Sequence, residues 1–367
     1  MVMLVGENFN LEKAVCNHGY FMMAPNLWMP SQRSLTRPLR LNNNDSKRDE
    51  FVAVSITLPR NENFLIITAV PYREKLVLSF LHKEEIRLQV ARMLRISAKD
   101  DKMVEDFHKL VPEAKNAGFA RIFRSPTLFE DIIKSLLLCS CPWKRSLEMA
   151  QALCDLQRKL YPTFDGAGKK RKRSEESGIL GNFPSPKEIA SLDEKTLNKH
   201  CNLGFRASII LEVARNVENG SLNLAEDCEV ELLRQRLMKI KGFGPFTVAN
   251  IMMCLGVYQE IPVDSETIKH LQQVHGKTNL NKPGSIQLAE AIEQVYGKYA
   301  PFQCLVYWME RVEYYEKKLG KLMYLLTRCR MERVEYYEKK LGKLSELPHS
   351  QYCNVTTMKL NTCDSDN

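Results

Sequence analysis

No apolar run in the sequence approaches the roughly 20 residues that a helix needs to cross a bilayer. The longest, at 64–70 and 251–258, fall far short. Residues 1–10 lack both the basic start and the apolar core of a secretory signal. Eleven cysteines are present, but without the spacing of a secreted disulfide framework. Cys139 and Cys141 stand too close for a zinc knuckle, and Cys304, Cys329, Cys353 and Cys363 are too spread for an iron–sulfur loop. These absences predict a soluble protein with reduced, intracellular cysteines, no membrane partner, no required cofactor and no iron–sulfur cluster.

At 367 residues and 44% apolar, the chain can bury one large core or two ordinary ones. Its 53 basic against 44 acidic residues give a formal charge of +9, which suits a polyanionic partner without requiring one.

The first hundred residues differ from the rest. Segments 51–58, 64–71 and 76–81 are short, rich in β-branched or aromatic residues and separated by polar turns, which predicts an antiparallel sheet. From about Ser97 the periodicity becomes helical. Leu128, Ile132, Ile133, Leu136 and Leu137 share a face, and Thr127 with Glu130 offers a capping box. Similar starts recur at Ser185 with Glu188 and at Ser191 with Glu194. The expected class is α+β, with a sheet domain at 1–97, a mostly helical domain at 98–344 and a disordered polar tail at 345–367.

Two features interrupt this plan. A polar, basic stretch at about 164–182 reads as an exposed loop, and its KKRKR run at 169–173 is a nuclear import signal, a phosphate-binding patch or a solvated loop. The first of these would place the protein in the nucleus. Segment 309–322 recurs identically at 331–344, a period found nowhere else, so a solenoid is excluded. A recent duplication or an artefact of sequence assembly explains it, and only one copy need pack.

The stretch KIKGFGPFTVAN at 239–250 carries more information. Before it, Leu232, Leu233 and Leu237 recur at helical spacing; Gly242, Phe243 and Gly244 break that helix, and Pro245 suits the first position of the next. This predicts a helix-hairpin-helix. Two glycines let backbone N–H groups approach an anion with no Cβ in the way, reinforced by the second helix's dipole. Phosphate is the natural ligand, with Lys239 and Lys241 adding charge and Thr247 a hydroxyl. A glycine-ended helix followed by a proline-started one also occurs in folds with no such partner. Twenty positions past Gly244 stands Asp264, whose simplest role is to cap a helix starting at Ser265.

Hairpin, apolar helix 248–257 and Pro262-Val263-Asp264, in this order, resemble the helix-hairpin-helix (HhH-GPD) DNA glycosylase superfamily of base-excision enzymes. Segments 182–193 and 203–207 are similar to the lead into its hairpin, and 19–29 with 37–41 to the sheet domain of its 3-methyladenine and 8-oxoguanine branches, so the resemblance runs to about Leu344. It implies a monomer that binds double-stranded DNA containing a damaged base, and a nuclear enzyme of DNA repair. Asp264 would stabilise the sugar cation or orient water, and the hairpin, with Phe243 at its turn, would hold phosphates while the damaged nucleotide leaves the stack. It also implies a monovalent cation on the backbone carbonyls of Met238, Ile240 and Phe243.

Two departures qualify the resemblance. Members that also cut the backbone carry a lysine where this chain has Phe246, so a monofunctional glycosylase using water is implied; Phe246 lines the base pocket or packs in the core. In 136–145, the residue that fills the hole left by the extruded base corresponds to Ser140 or Cys141, with Arg145 as the basic residue that follows. Trp143 could stack in its place, although a packing anchor is the commoner role, and Trp308 lies either near the pocket or in the core. An alkylated base is the favoured substrate, because its positive charge makes it a good leaving group. The competing function is a non-catalytic DNA-binding protein on the same scaffold, and a lyase acting through Lys269 is a distant third.

Overall fold

The computed structural model describes residues 1–41, 50–73, 76–160, 181–224, 229–280 and 282–319. The basic loop, apart from Gly181 and Asn182, the second copy of the repeat and the polar tail lie outside the described residues.

An antiparallel sheet opens the chain, with a short helix α1 (Leu11–Val15) between its first two strands. β1 (Val2–Leu4), β2 (Leu27–Met29), β3 (Ser34–Leu41), β4 (Glu50–Thr57) and β5 (Phe64–Pro71) are arranged in the order β1-β5-β4-β3-β2. Alternation sets the faces: Val52, Val54 and Ile56 of β4 and Leu65 and Ile67 of β5 are buried, whereas Ile66 and Val70 face outward. Sheet followed by helices is the α+β arrangement expected. The compact unit Met1–Val312 contains both.

The run at 76–81 is not a strand. Residues 76–79 carry no regular structure, and helix α2 (Phe80–Leu94) starts behind Ser79, whose hydroxyl accepts the His82 N–H. Val77, Phe80 and Leu81 are exposed, so their hydrophobicity does not report a buried sheet face. Helical structure thus begins well before Ser97. From there the chain continues through α3 (Ala98–Leu110), α5 (Leu128–Leu137) and α6 (Trp143–Leu160), with a short α4 (Pro112–Ala117) between the first two.

The five apolar residues expected to share a face of α5 are buried, and so is every other residue of the helix. Its charged groups survive by pairing. Arg37 of β3 binds Glu130 through both guanidinium nitrogens at 3.0 and 3.2 Å, and Lys134 reaches the same carboxylate at 2.7 Å. Asp131 accepts from the Ser125 N–H and from Arg92, at 2.7 and 2.9 Å. Thr127 caps the helix as expected, but only half of the capping box forms, since the Glu130 side chain is committed to Arg37 and Lys134.

Beyond the basic loop come α7 (Pro186–Ala190), α8 (Glu194–Cys201), α9 (Arg206–Glu218), α10 (Val230–Lys239), α11 (Pro245–Leu255), α12 (Ser265–His275), α13 (Ile286–Tyr296) and α14 (Gln303–Leu319). Ser185 and Glu188 make the full capping box anticipated for α7. The cap of α8 is Asp193 rather than Ser191, because its carboxylate accepts the Thr196 N–H at 2.8 Å. The first copy of the repeat, as far as Leu319, forms the second half of α14.

Candidate active site

The hairpin forms where the glycines predicted it. α10 buries Leu233 and Leu237, four apart, and leaves Leu232 exposed on the adjoining face, so only two of the three expected leucines reach the core. The turn closes with the Phe243 N–H donating to the Ile240 carbonyl at 3.1 Å. Gly242 needs its lack of a side chain: its φ is +96°, and a Cβ would lie 2.4 Å from Ile209 Cδ1 on α9. Gly244 is different, with φ at −99° and nothing within 4 Å of where a Cβ would stand, so open space lies in front of it.

Pro245 then starts α11, leaving the first N–H groups of that helix without helical partners beside the turn. At its other end, the Met253 and Cys254 carbonyls accept from buried Arg95 at 2.7 and 2.8 Å, and Arg124 adds a bond to Cys254 at 3.2 Å. The hairpin is therefore anchored from the core. Lys239 and Lys241 are exposed beside the turn, as required of phosphate-binding charges. Phe243 is buried and supports the turn from inside, so only its backbone is available to a partner.

Thr247 corrects an expectation. Its side chain is buried and hydrogen-bonds the Cys139 thiol at 2.7 Å, so the hydroxyl is not offered to a phosphate. It instead joins the hairpin to the loop after α5. Burial is the main influence on Cys139 and pushes its thiol up, with the Thr247 bond opposing.

That loop carries Ser140, exposed and with φ at +46°, a left-handed conformation that serine adopts only when its surroundings hold it there. Those surroundings are visible: Arg206 donates to the Leu136 and Cys139 carbonyls, and the Ser146 hydroxyl to Leu137 at 2.8 Å. Cys141, the alternative at this position, is half-buried. Trp143 is a packing anchor, since a Cβ on Gly19 would fall 2.5 Å from its ring. Arg145 donates to the Asn202 carbonyl and lies 3.7 Å from Glu148, so it is tied to the protein rather than directed at a partner.

Asp264 caps α12 in a reciprocal box. Its Oδ1 accepts the Thr267 N–H at 2.9 Å and the Thr267 hydroxyl at 3.1 Å, and its own N–H lies 3.2 Å from that hydroxyl. The half-buried carboxylate keeps Oδ2 free of hydrogen bonds among the described residues. Thr267 is buried and in turn meets the Tyr307 hydroxyl of α14 at 2.9 Å, which also accepts from Arg311 at 2.7 Å. Burial raises the Tyr307 phenol above its ordinary range, Arg311 opposes, and the Asp264 charge adds to the rise. One turn of chain thus fixes one carboxylate oxygen and exposes the other.

Trp308 follows Tyr307 and is half-buried, its ring 5.7 Å from that of His18 and 5.4 Å from the Arg311 guanidinium. Phe246 is half-buried in the first turn of α11, its carbonyl accepting from Asn250 at 2.9 Å. Sequence reading missed Thr267, Tyr307, Arg311 and Arg206. Thr267 was findable, because an N-cap residue with threonine three positions on is a capping pattern. Tyr307 and Arg206 act across 40 and 70 positions of chain, which local patterns do not report, and Arg311 enters the site only through Tyr307.

Gly244→Leu separates fold from interface. The side chain enters open space, so thermal stability should stay within about 0.5 kcal/mol, while, if the hairpin holds phosphates as its motif implies, binding of duplex DNA should weaken about tenfold irrespective of sequence. Unchanged affinity in titrations on two unrelated duplexes would take the hairpin out of the interface.

No family model matches the chain. It is 24% identical over 172 residues to an N-glycosylase/DNA lyase of Saccharomyces cerevisiae, and 33% identical over 73 residues to a putative DNA-3-methyladenine glycosylase of Bacillus subtilis. These matches span 43% and 19% of this chain, and only 41% and 25% of the two relatives. Among solved structures, a 3-methyladenine DNA glycosylase from Archaeoglobus fulgidus aligns over 86% of this chain and 98% of its own, with a TM-score of 0.60 and 15% identity. An 8-oxoguanine glycosylase/lyase from Clostridium acetobutylicum aligns over 84% and 94%, with a TM-score of 0.55 and 16% identity. The chain has the fold of the helix-hairpin-helix DNA glycosylases, as its motifs implied.

Proposed function

We propose that this chain is a DNA glycosylase of base-excision repair, working as a monomer on a damaged base flipped out of duplex DNA, and that it hydrolyses the N-glycosidic bond without lyase chemistry. The observation that carries the reading is Asp264, held through Oδ1 by the start of α12 while Oδ2 stays open. A merely structural cap needs no second carboxylate oxygen, and a carboxylate near phosphates weakens simple DNA binding.

In this mechanism the exposed hairpin backbone, with Lys239 and Lys241, holds phosphates of the distorted strand. Ser140, exposed on a strained turn, occupies the place of the group that enters the vacated stack. As the glycosidic bond breaks, its electron pair leaves with the base and positive charge grows on the sugar, where Asp264 stabilises it. Water then adds its oxygen to the sugar carbon and loses its proton to the carboxylate or to solvent. A base already cationic departs neutral without an acid, and half-buried Trp308 and Phe246 are the aromatic side chains we propose for its pocket. Alkylated purines are accordingly the substrates we favour.

We propose that the carbonyls of Met238, Ile240 and Phe243 hold a monovalent cation. That of Ile240 accepts one N–H, and no backbone N–H among the described residues donates to the other two. Such an ion would add positive charge behind the phosphate site. The basic run at 169–173 is our ground for proposing a nuclear location.

A lyase is the second reading, favoured by the name of the yeast relative. Against it, Phe246 offers no amine, and Lys269 is exposed and bonded to Glu266 at 2.7 Å. Excision assays over a panel of single-lesion duplexes decide. The expected product is an intact abasic strand that breaks only on alkali, with no protein–DNA adduct after borohydride. A trapped adduct would establish the lyase, and binding with no base released from any lesion would establish a non-catalytic scaffold.

A further inference from the structure

The far end of α12 meets α13 and α14 in a cluster that the proposed reaction does not use. Nε2 of His270 lies 3.5 Å from Oε2 of Glu310, and Nε2 of His275 lies 2.9 Å from the same oxygen. The Tyr296 hydroxyl donates to that oxygen at 2.7 Å and stands 3.3 Å from His275 Nε2. One donor atom from each of His270, His275 and Glu310 fits within a span of 4.8 Å. His270 is buried, whereas the His275 and Glu310 side chains are 21% and 23% exposed, so an ion has a route in.

We propose that His270, His275 and Glu310 form a binding site for a divalent transition-metal ion of the zinc type, which fastens α12 to α14.

Two imidazoles with one carboxylate select zinc-like ions over magnesium or calcium, which prefer all-oxygen shells. Zinc bonds of about 2.0–2.2 Å in a tetrahedron set donor atoms about 3.4 Å apart. Separations of 2.9 and 3.5 Å already match, and the remaining pair, within 4.8 Å, requires a movement of about 1.4 Å at most. The fourth position falls to water or to the Tyr296 hydroxyl. Without metal the three groups and Tyr296 satisfy one another by hydrogen bonds; on binding, the proton on any protonated Nε2 leaves for solvent and the ion takes its place. Among the described residues Arg311 brings an opposing positive charge to the cluster, and its guanidinium is already bonded to Tyr307 and stacked on Tyr307 and Trp308.

His270 lies six residues beyond Asp264, about 9 Å along the helix axis. The ion would therefore set the position of α12 without touching the reaction, and the site stands whether or not the chain is a glycosylase.

Equilibrium dialysis of the full chain against Zn2+, read by elemental analysis, should find one equivalent that raises the melting temperature. Glu310→Gln and His275→Gln should each weaken binding at least tenfold and abolish that rise, while Tyr296→Phe leaves the fourth position to water and should retain the stoichiometry. If Glu310→Gln does not fold, His275→Gln at the half-exposed helix end gives the same reading. Co2+ should give a tetrahedral spectrum without a thiolate charge-transfer band. Undiminished binding in the folded ligand variants, a thiolate band placing the ion on cysteines, or no bound Zn2+ in the wild type would each overturn the site.

Discussion

Asp264→Asn should slow release of a damaged base by about 10²–10³-fold in single-turnover assays, the range for losing one preorganised group that stabilises transition-state charge. Duplex binding should be preserved or tightened. The substitution isolates chemistry from structure because the two carboxylate oxygens do different things. Oδ1 accepts from the Thr267 N–H and hydroxyl, and an asparagine carbonyl can occupy the same place and cap the helix equally well. The amide nitrogen then falls where Oδ2 was, replacing an open negative oxygen by a neutral donor. Stability should therefore change little, and a melting temperature close to wild type is part of the expected result. Excision by the variant at a rate comparable to wild type would remove Asp264 from the mechanism, whatever the activity of the chain.

The parts of this site that the sequence discloses are those set by local backbone chemistry. Gly242, Gly244 and Pro245 specify a turn between two helices because each has conformational properties that few neighbours can override, and the hairpin forms where they stand. Asp264 is legible as an N-cap for the same reason. Side-chain destinations are less legible. Thr247 reads as a surface hydroxyl by position, yet the approach of the loop after α5 buries it against Cys139. Arg145 reads as a free cation until the Asn202 carbonyl takes it. The segment 76–81 fails in another way: a short apolar run fits a strand, a buried helix or an exposed helix start, and no periodicity over six residues separates them. The charges of α5 are the least legible of all, because Glu130, Asp131 and Lys134 are buried and Glu130 and Asp131 find their arginines on distant elements.

Glu130 provides the test of that last point, and its loss should rank among the most destabilising single changes in the protein. Burial alone would raise its carboxyl, but Arg37 and Lys134 outweigh burial and hold it near a pKa of about 2, from an ordinary 4.5. The sign follows: the folded state binds the proton more weakly than the unfolded chain, so the stabilisation is complete above pH 4.5 and is lost as pH falls toward 2. A shift of this size corresponds to about 3 kcal/mol. Glu130→Gln keeps the shape but leaves two buried cations facing a neutral amide, and should cost about 3–5 kcal/mol at neutral pH. In urea titrations the gap between wild type and variant should then narrow as pH is lowered from 7 to 3, because below pH 4.5 the unfolded wild type takes up a proton at Glu130 that the folded protein does not. A gap that stays constant over that range would mean that Glu130 contributes by shape and hydrogen bonding alone. Replacing Arg37, Glu130 and Lys134 together by Met, Leu and Met should recover most of the loss, since a buried ion cluster rarely stabilises more than apolar side chains of similar volume. Recovery in the triple variant, set against the deficit of the single one, would show that the cost lies in the cations left unpaired and not in the removal of the pair itself.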